Sequence, residues 1–137
     1  MAQKHKSPFI SARLIFFSFF GSILAVPSDK RDDHSYAGDL TFYSPGLGAC
    51  GQHSGPGEAV VAISHYTFDP NTPDGNPNHN KLCGKMMRIT KDGRSVDVQV
   101  VDRCEGCQER DVDVPIPIFQ QLADPTLGRV PVTWVWL

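Results

Sequence analysis

Two short stretches concentrate the side chains that could do chemistry. The first, Val100-Val101-Asp102-Arg103-Cys104-Glu105-Gly106-Cys107, sets Asp102 between a valine run and a Cys-x-x-Cys turn. The second, Arg110-Asp111-Val112-Asp113-Val114, alternates carboxylates with valines. Cleaving a glycosidic bond ordinarily takes two carboxyl groups, one protonated as acid and one ionised as base or nucleophile. If the strands carrying Asp102 and Asp113 are neighbours, mutual repulsion raises one of the two pKa values and creates that asymmetry. His65, after Ala62-Ile63-Ser64, is a third titratable candidate. Each also has a plainer use. Asp102 ahead of a turn can accept from backbone N–H groups. Asp113, two residues before Pro115, can cap a helix, and His65 can be an ordinary surface histidine. Tyr43 and Tyr66 suit stacking on sugar rings or packing at a core or rim. His53 and His79 fall in loops without metal-ligand spacing, so neither a metal nor a cofactor is expected.

Such side chains need a frame, and the cysteines are its first sign. Cys50, Cys83, Cys104 and Cys107 form an even set that reads as two disulfides in an exported chain, with three connectivities open. Cys50 with Cys83 and Cys104 with Cys107 is the preferred pairing, the second clamping a tight turn that contains Gly106. A four-cysteine zinc site would want a second Cys-x-x-Cys pair, and a thioredoxin-like role would want a βαβ pattern. The sequence has neither.

The rest of the frame reads as short strands between turn-formers. Strands are expected over residues 40–43, 59–63, 85–90, 95–102 and 130–136, with the 110–114 segment leading into a helix. Asp92-Gly93 marks a tight hairpin. Val96, Val98 and Val100 share one face of their strand, opposite Asp97 and Gln99. Trp134 is expected in the core and Trp136 on the same face. Residues 69–80, rich in Pro and Asn, read as a long loop. One helix is expected, with Pro115 and Pro117 in its first turn and Ile116, Phe119, Leu122 and Ala123 at helical spacing, stopped by Asp124-Pro125. About six strands and one short helix point to an all-β closed barrel, which leaves no sheet edge exposed.

The N-terminus reads differently. Lys4, Lys6 and Arg13 precede an apolar run over residues 14–26, too short for the roughly 20 residues that span a bilayer but suited to a signal peptide. Residues 1–25 are read as that signal and 26–31 as a propeptide ending in Lys30-Arg31, leaving a domain of residues 32–137. It carries eight basic and fourteen acidic side chains, a net charge of −6. That balance argues against binding a phosphate backbone. There is no Asn-x-Ser/Thr sequon. The expected protein is secreted, monomeric and free of membrane once the signal is removed.

Gly48-Ala49-Cys50-Gly51, Leu82-Cys83-Gly84-Lys85 and the two carboxylate segments together resemble the RlpA-like double-psi β-barrel superfamily. That group includes barwin, the expansin N-terminal domain, rare lipoprotein A, family-45 endoglucanases and Streptomyces papain inhibitor. Short fungal secreted proteins share the order G-A-C-G, C-G-K, V-V-D-R-C-x-G-C, D-x-D. The likeness runs over about residues 38–136 and implies a six-stranded, disulfide-braced double-psi barrel. By resemblance, Thr41, Asp102 and Asp113 match groove residues of bacterial expansins. Asp113 also matches the Asp of the plant expansin His-Phe-Asp motif and the general acid of the endoglucanases, although Asp111 stands where that motif has His. His65 and Asp102 match the His and Asp implicated in rare lipoprotein A. The endoglucanase base comes from the first strand, where this chain offers only Asp39.

These readings give an expansin- or barwin-like protein that binds cell-wall polysaccharide without hydrolysing it, through an acidic groove of Thr41, Tyr43, His65, Asp102, Asp111 and Asp113. A first alternative is an extracellular protein binder, specifically an inhibitor of papain-like cysteine proteases, using loops at residues 46–50 and 69–80. A second is a lytic transglycosylase or glucanase working through Asp102 with His65 or Asp113.

Overall fold

The computed structural model describes Gly21 and residues 34–137. The signal 1–25 (Gly21 apart) and the segment 26–31 lie outside the described residues. Six strands close into a barrel: β1 (Tyr36–Tyr43), β2 (Val60–Ser64), β3 (Met86–Lys91), β4 (Arg94–Cys104), β5 (Val112–Pro115) and β6 (Val130–Trp136). Their order around the barrel is β1-β5-β2-β4-β3-β6. Two pairings are parallel, β1 with β5 and β2 with β4, and the others are antiparallel. The core fills with alternate residues, among them Leu40, Val61, Ile63, Val98, Val100, Val112 and Val114. Strand alternation sends the next side chain on each strand to the outside. Val96, Val98 and Val100 are buried as their alternation requires, and Trp134 is buried with its indole N–H donating to the Arg110 carbonyl at 3.0 Å. The β3–β4 hairpin turns on Asp92 and Gly93, both at positive φ. Both expected disulfides are present, Cys50–Cys83 and Cys104–Cys107.

Local structure departs from the sequence reading in three places. Residues 69–80 are not featureless: 3-10 turns occupy Asp69–Asn71 and Pro77–His79, and buried Asn80 ties them down. A one-turn helix α1 (His65–Phe68) follows β2 directly, with the Ser64 hydroxyl accepting from Tyr66 N–H. The later helix α2 is only Ile116–Gln120, because Pro115 ends β5 with an extended ψ of 150°. Starting one residue later turns Ile116 out to solvent and buries Ile118 instead. No side chain caps α2, so Asp113 is not a helix cap. Asp124 instead accepts from Thr126 N–H and begins a separate 3-10 turn, Pro125–Leu127.

Candidate functional site

One row of residues crosses four adjacent strands on the outside of the barrel. Thr41 on β1 is level with Asp113 on β5, Asp113 with Ala62 on β2, and Ala62 with Asp102 on β4. Asp102 joins this row only through an irregularity. Val61 pairs with Val100, but Ala62 pairs with Asp102, so Val101 is an extra residue on β4. Simple alternation would leave Asp102 facing inward with Val96, Val98 and Val100. The bulge reverses the phase and re-aims the carboxylate outward. Ala62, standing among Val60, Val61 and Ile63, is the small side chain that leaves room between the two aspartates. Their strands are therefore not neighbours but one strand apart, roughly 10 Å between backbones at ~4.8 Å per spacing.

Asp102 is held from above by the loop that precedes β2. Its Oδ1 accepts from Ala49 N–H and from Arg103 N–H, each at 2.8 Å. Oδ2 has no protein partner among the described residues. The loop lies so close that a side chain at Gly48 would run into the Val101 carbonyl, and Cys50 N–H donates to that same carbonyl at 3.1 Å. Asp102 thus does what an Asp beside a turn commonly does and also presents a free carboxylate oxygen to the groove. Asp113 accepts from the Thr41 hydroxyl at 3.0 Å. Burial pushes its pKa up to about 6; the Thr41 bond opposes that, the Asp102 charge adds to it, and Arg129 opposes it. Around pH 6 this carboxyl exchanges between a proton donor and a charged acceptor. Tyr43, two residues beyond Thr41 on the same face, has a buried hydroxyl with no partner among the described residues. Burial, then Asp102, then Asp113 raise its pKa far above the usual phenol value, so it stays protonated.

Thr41, Tyr43, Ala62, Asp102 and Asp113 line one open cleft of about 460 Å³, walled by the Cys104–Cys107 turn with Glu105 and by Arg103 and Arg129. The groove is therefore mixed in charge, not purely acidic. Arg103 is held by Asp69 in a bidentate pair, at 2.6 and 2.8 Å. Arg129 lies between Asp39 at 3.3 Å and Asp111 at 3.2 Å.

His65, Asp111 and Asp39 stand apart from the row. His65 begins α1, with its Nδ1 3.4 Å from the Cys104 carbonyl and its ring 4.0 Å from that of exposed Tyr66, and it does not line the cleft. Asp111 is buried and accepts from Asp39 N–H at 2.9 Å and Gln108 N–H at 3.0 Å. Burial pushes its pKa up, but those two bonds and Arg129 outweigh it and hold the carboxyl below the usual range. Asp111 supports the groove by fixing Arg129. The sequence reading missed Arg129, whose only signal is its place after Gly128, which turns the chain at φ 67° just before β6. It also missed the opening made by Ala62.

A closed six-stranded mixed barrel, braced by two disulfides and crossed by such a row, is an RlpA-like double-psi β-barrel. The chain belongs to the family described as lytic transglycolase, whose model matches residues 36–134. It is similar to the papain inhibitor of Streptomyces mobaraensis, 34% identical over 101 residues that cover 71% of this chain and 68% of the inhibitor. The solved Streptomyces papain inhibitor matches with a TM-score of 0.68 and 29% identity, over 77% of this chain and 96% of its own. A mutant expansin of Clavibacter michiganensis, solved in complex with cellohexaose, matches with a TM-score of 0.61 and 26% identity, over 76% of this chain and 50% of the expansin. The protein named allergen Asp f 7 homolog of Arthroderma benhamiae is 34% identical over 86 residues, which are 62% of this chain and only 28% of that protein.

Proposed function

We propose that this protein binds a cell-wall polysaccharide in the Thr41–Asp113–Ala62–Asp102 groove without cleaving it. The observation that carries this reading is the row itself, an open cleft that offers a protonatable acid, a free carboxylate oxygen, the side of the Tyr43 ring and two anchored guanidinium groups. Hydroxyl-rich chains are matched by such alternating donors and acceptors. The expansin solved with cellohexaose supports the same class of ligand. Against catalysis, the first-strand carboxylate Asp39 is paired with Arg129, and His65 lies outside the cleft lining. Export through residues 1–25, with trimming after Lys30-Arg31, is supported by that segment's pattern and by the two disulfides. A monomer is supported by barrel closure, which leaves every strand paired on both sides.

Co-sedimentation with cellulose, chitin and peptidoglycan tests the reading. Retention on one polymer is expected, reduced about tenfold or more by Asp113→Ala, with no soluble sugar released. No retention on any of the three overturns it, and release of sugar that Asp102→Asn abolishes moves the protein to the transglycosylase or glucanase alternative. The similarity to the papain inhibitor over 71% of the chain favours a second reading, inhibition of a papain-like cysteine protease or another extracellular protein contact. Residues 46–50 and 69–80 would form the contact, their ends joined by the Cys50–Cys83 bridge. Unchanged papain activity at micromolar protein would remove the inhibitor version.

A further inference from the structure

We propose that the groove continues across Arg103 into a second cleft formed by the 69–80 segment, and that a single polysaccharide chain occupies both. This rests on the polysaccharide reading above. Arg103 is common to the two linings, so the depressions meet across its side chain. The second cleft measures about 370 Å³ and is lined by Phe68, Asp69, Thr72, Gly75, Pro77 and Arg103.

Its walls are built rather than incidental. Buried Asn80 donates to the Phe68 carbonyl at 2.7 Å and to the Thr72 hydroxyl at 2.9 Å, and accepts from Leu82 N–H at 2.8 Å. Lys81 N–H donates to the Asn71 carbonyl at 2.9 Å, and Cys83 ties the end of the segment to Cys50. A segment fixed in this way loses little freedom on binding. The chemistry also continues that of the groove. Asp69 and Arg103 hold each other in a planar fork, which leaves guanidinium N–H donors and carboxylate lone pairs for further hydroxyls. The Thr72 hydroxyl accepts from Asn80 and keeps its own proton to donate. Gly75, at φ 77°, has open space where a side chain would stand, and Pro77 offers an apolar surface for the C–H face of a sugar ring. The row from Thr41 to Asp102 covers three strand spacings, roughly 14 Å, about the reach of a trisaccharide. Sugars beyond that would enter the second cleft.

Calorimetric titration with cello- and chito-oligosaccharides, from disaccharide to hexasaccharide, tests this on the protein and on Pro77→Trp, which fills the cleft. For the unaltered protein, affinity is expected to rise about tenfold between trisaccharide and hexasaccharide. Pro77→Trp is expected to remove that rise, with the trisaccharide serving as internal reference. Thr72→Val, which keeps the side-chain size and removes a hydroxyl that lines the second cleft alone, is expected to reduce the same rise and serves if the tryptophan variant does not fold. Affinity that levels off at the trisaccharide, or a length dependence unchanged in the variants, overturns the second cleft while groove binding stands. Binding by no oligosaccharide of any length overturns the groove reading itself, and this proposal with it. Loss of papain inhibition in Pro77→Trp with no change in sugar binding assigns the cleft to a protein partner and overturns the proposal.

Discussion

Asp113 shows how a side chain trades stability for a prepared surface. The folded Asp113 carboxyl titrates at about 6 against an ordinary 3.8, because burial disfavours its charge. The folded state therefore holds this proton more tightly than the unfolded chain does. The resulting stability is fully present below the unfolded value and is lost as pH rises through about 6. A difference of this size corresponds to about 3 kcal/mol at full effect, reduced to ~1–2 kcal/mol by partial exposure. Asp113→Asn, which can still accept from Thr41, is expected to flatten the pH dependence of urea unfolding between about 4 and 6. It should also raise stability at pH 7 by roughly 1 kcal/mol. An unchanged pH profile would contradict the assignment. Tyr43 carries a cost of a different kind, since its hydroxyl is shut away from water without a partner among the described residues. An unmet buried hydroxyl costs about 1–3 kcal/mol, so Tyr43→Phe is expected to raise the melting temperature and to leave retention on the polysaccharide unchanged, because the ring that lines the cleft is kept. A less stable variant would show that the hydroxyl is satisfied in the folded protein, and a fall in retention would show that it reaches the ligand.

At the scale of elements, alternation made most strands legible, and tertiary constraints hid the rest. The valines at 96, 98 and 100, the Asp92-Gly93 turn and the apolar run before Ser64 read correctly because each is a local pattern. The aim of Asp102 was not local. It depends on the extra residue Val101, which exists only against the register of β2, a partner far away in sequence. Asp113 had the same ambiguity: beside two prolines it could cap a helix, and only parallel pairing with β1 turns it toward Thr41. The two disulfides brace different elements and should differ in weight. Cys50–Cys83 closes a separation of 33 residues and ties the loop over Asp102 to the end of the 69–80 segment, whereas Cys104–Cys107 closes a separation of only 3. Loop-closure entropy assigns about 4 kcal/mol to the first and about 2 kcal/mol to the second. Paired Cys→Ser variants compared by urea unfolding should follow that order. The smaller loss should nonetheless bring the larger fall in ligand retention, because the Cys104–Cys107 turn is a wall of the groove. The reverse stability order would mean that strain or residual unfolded structure outweighs chain entropy here.

For the whole molecule, charge decides among partners that the groove alone admits. Residues 32–137 carry a net charge of −6, yet both groove arginines are already matched by carboxylates, Arg103 by Asp69 and Arg129 by Asp39 and Asp111. An anionic polymer would have to displace those carboxylates against the overall field, and a neutral polysaccharide would not. Binding of a neutral chain releases no condensed counterions, so affinity should stay within about twofold between roughly 50 and 200 mM salt. A ligand held through six or more phosphate contacts would lose on the order of a thousandfold across that range. A protein partner approached through charged rims would show its salt dependence in the association rate. Retention measured on cellulose or chitin across that range, beside association kinetics with papain, separates these cases. Flat retention on a neutral polymer supports the groove reading. A steep fall with salt would mean that the surface charges, and not the Thr41–Asp113–Ala62–Asp102 row, make the contact.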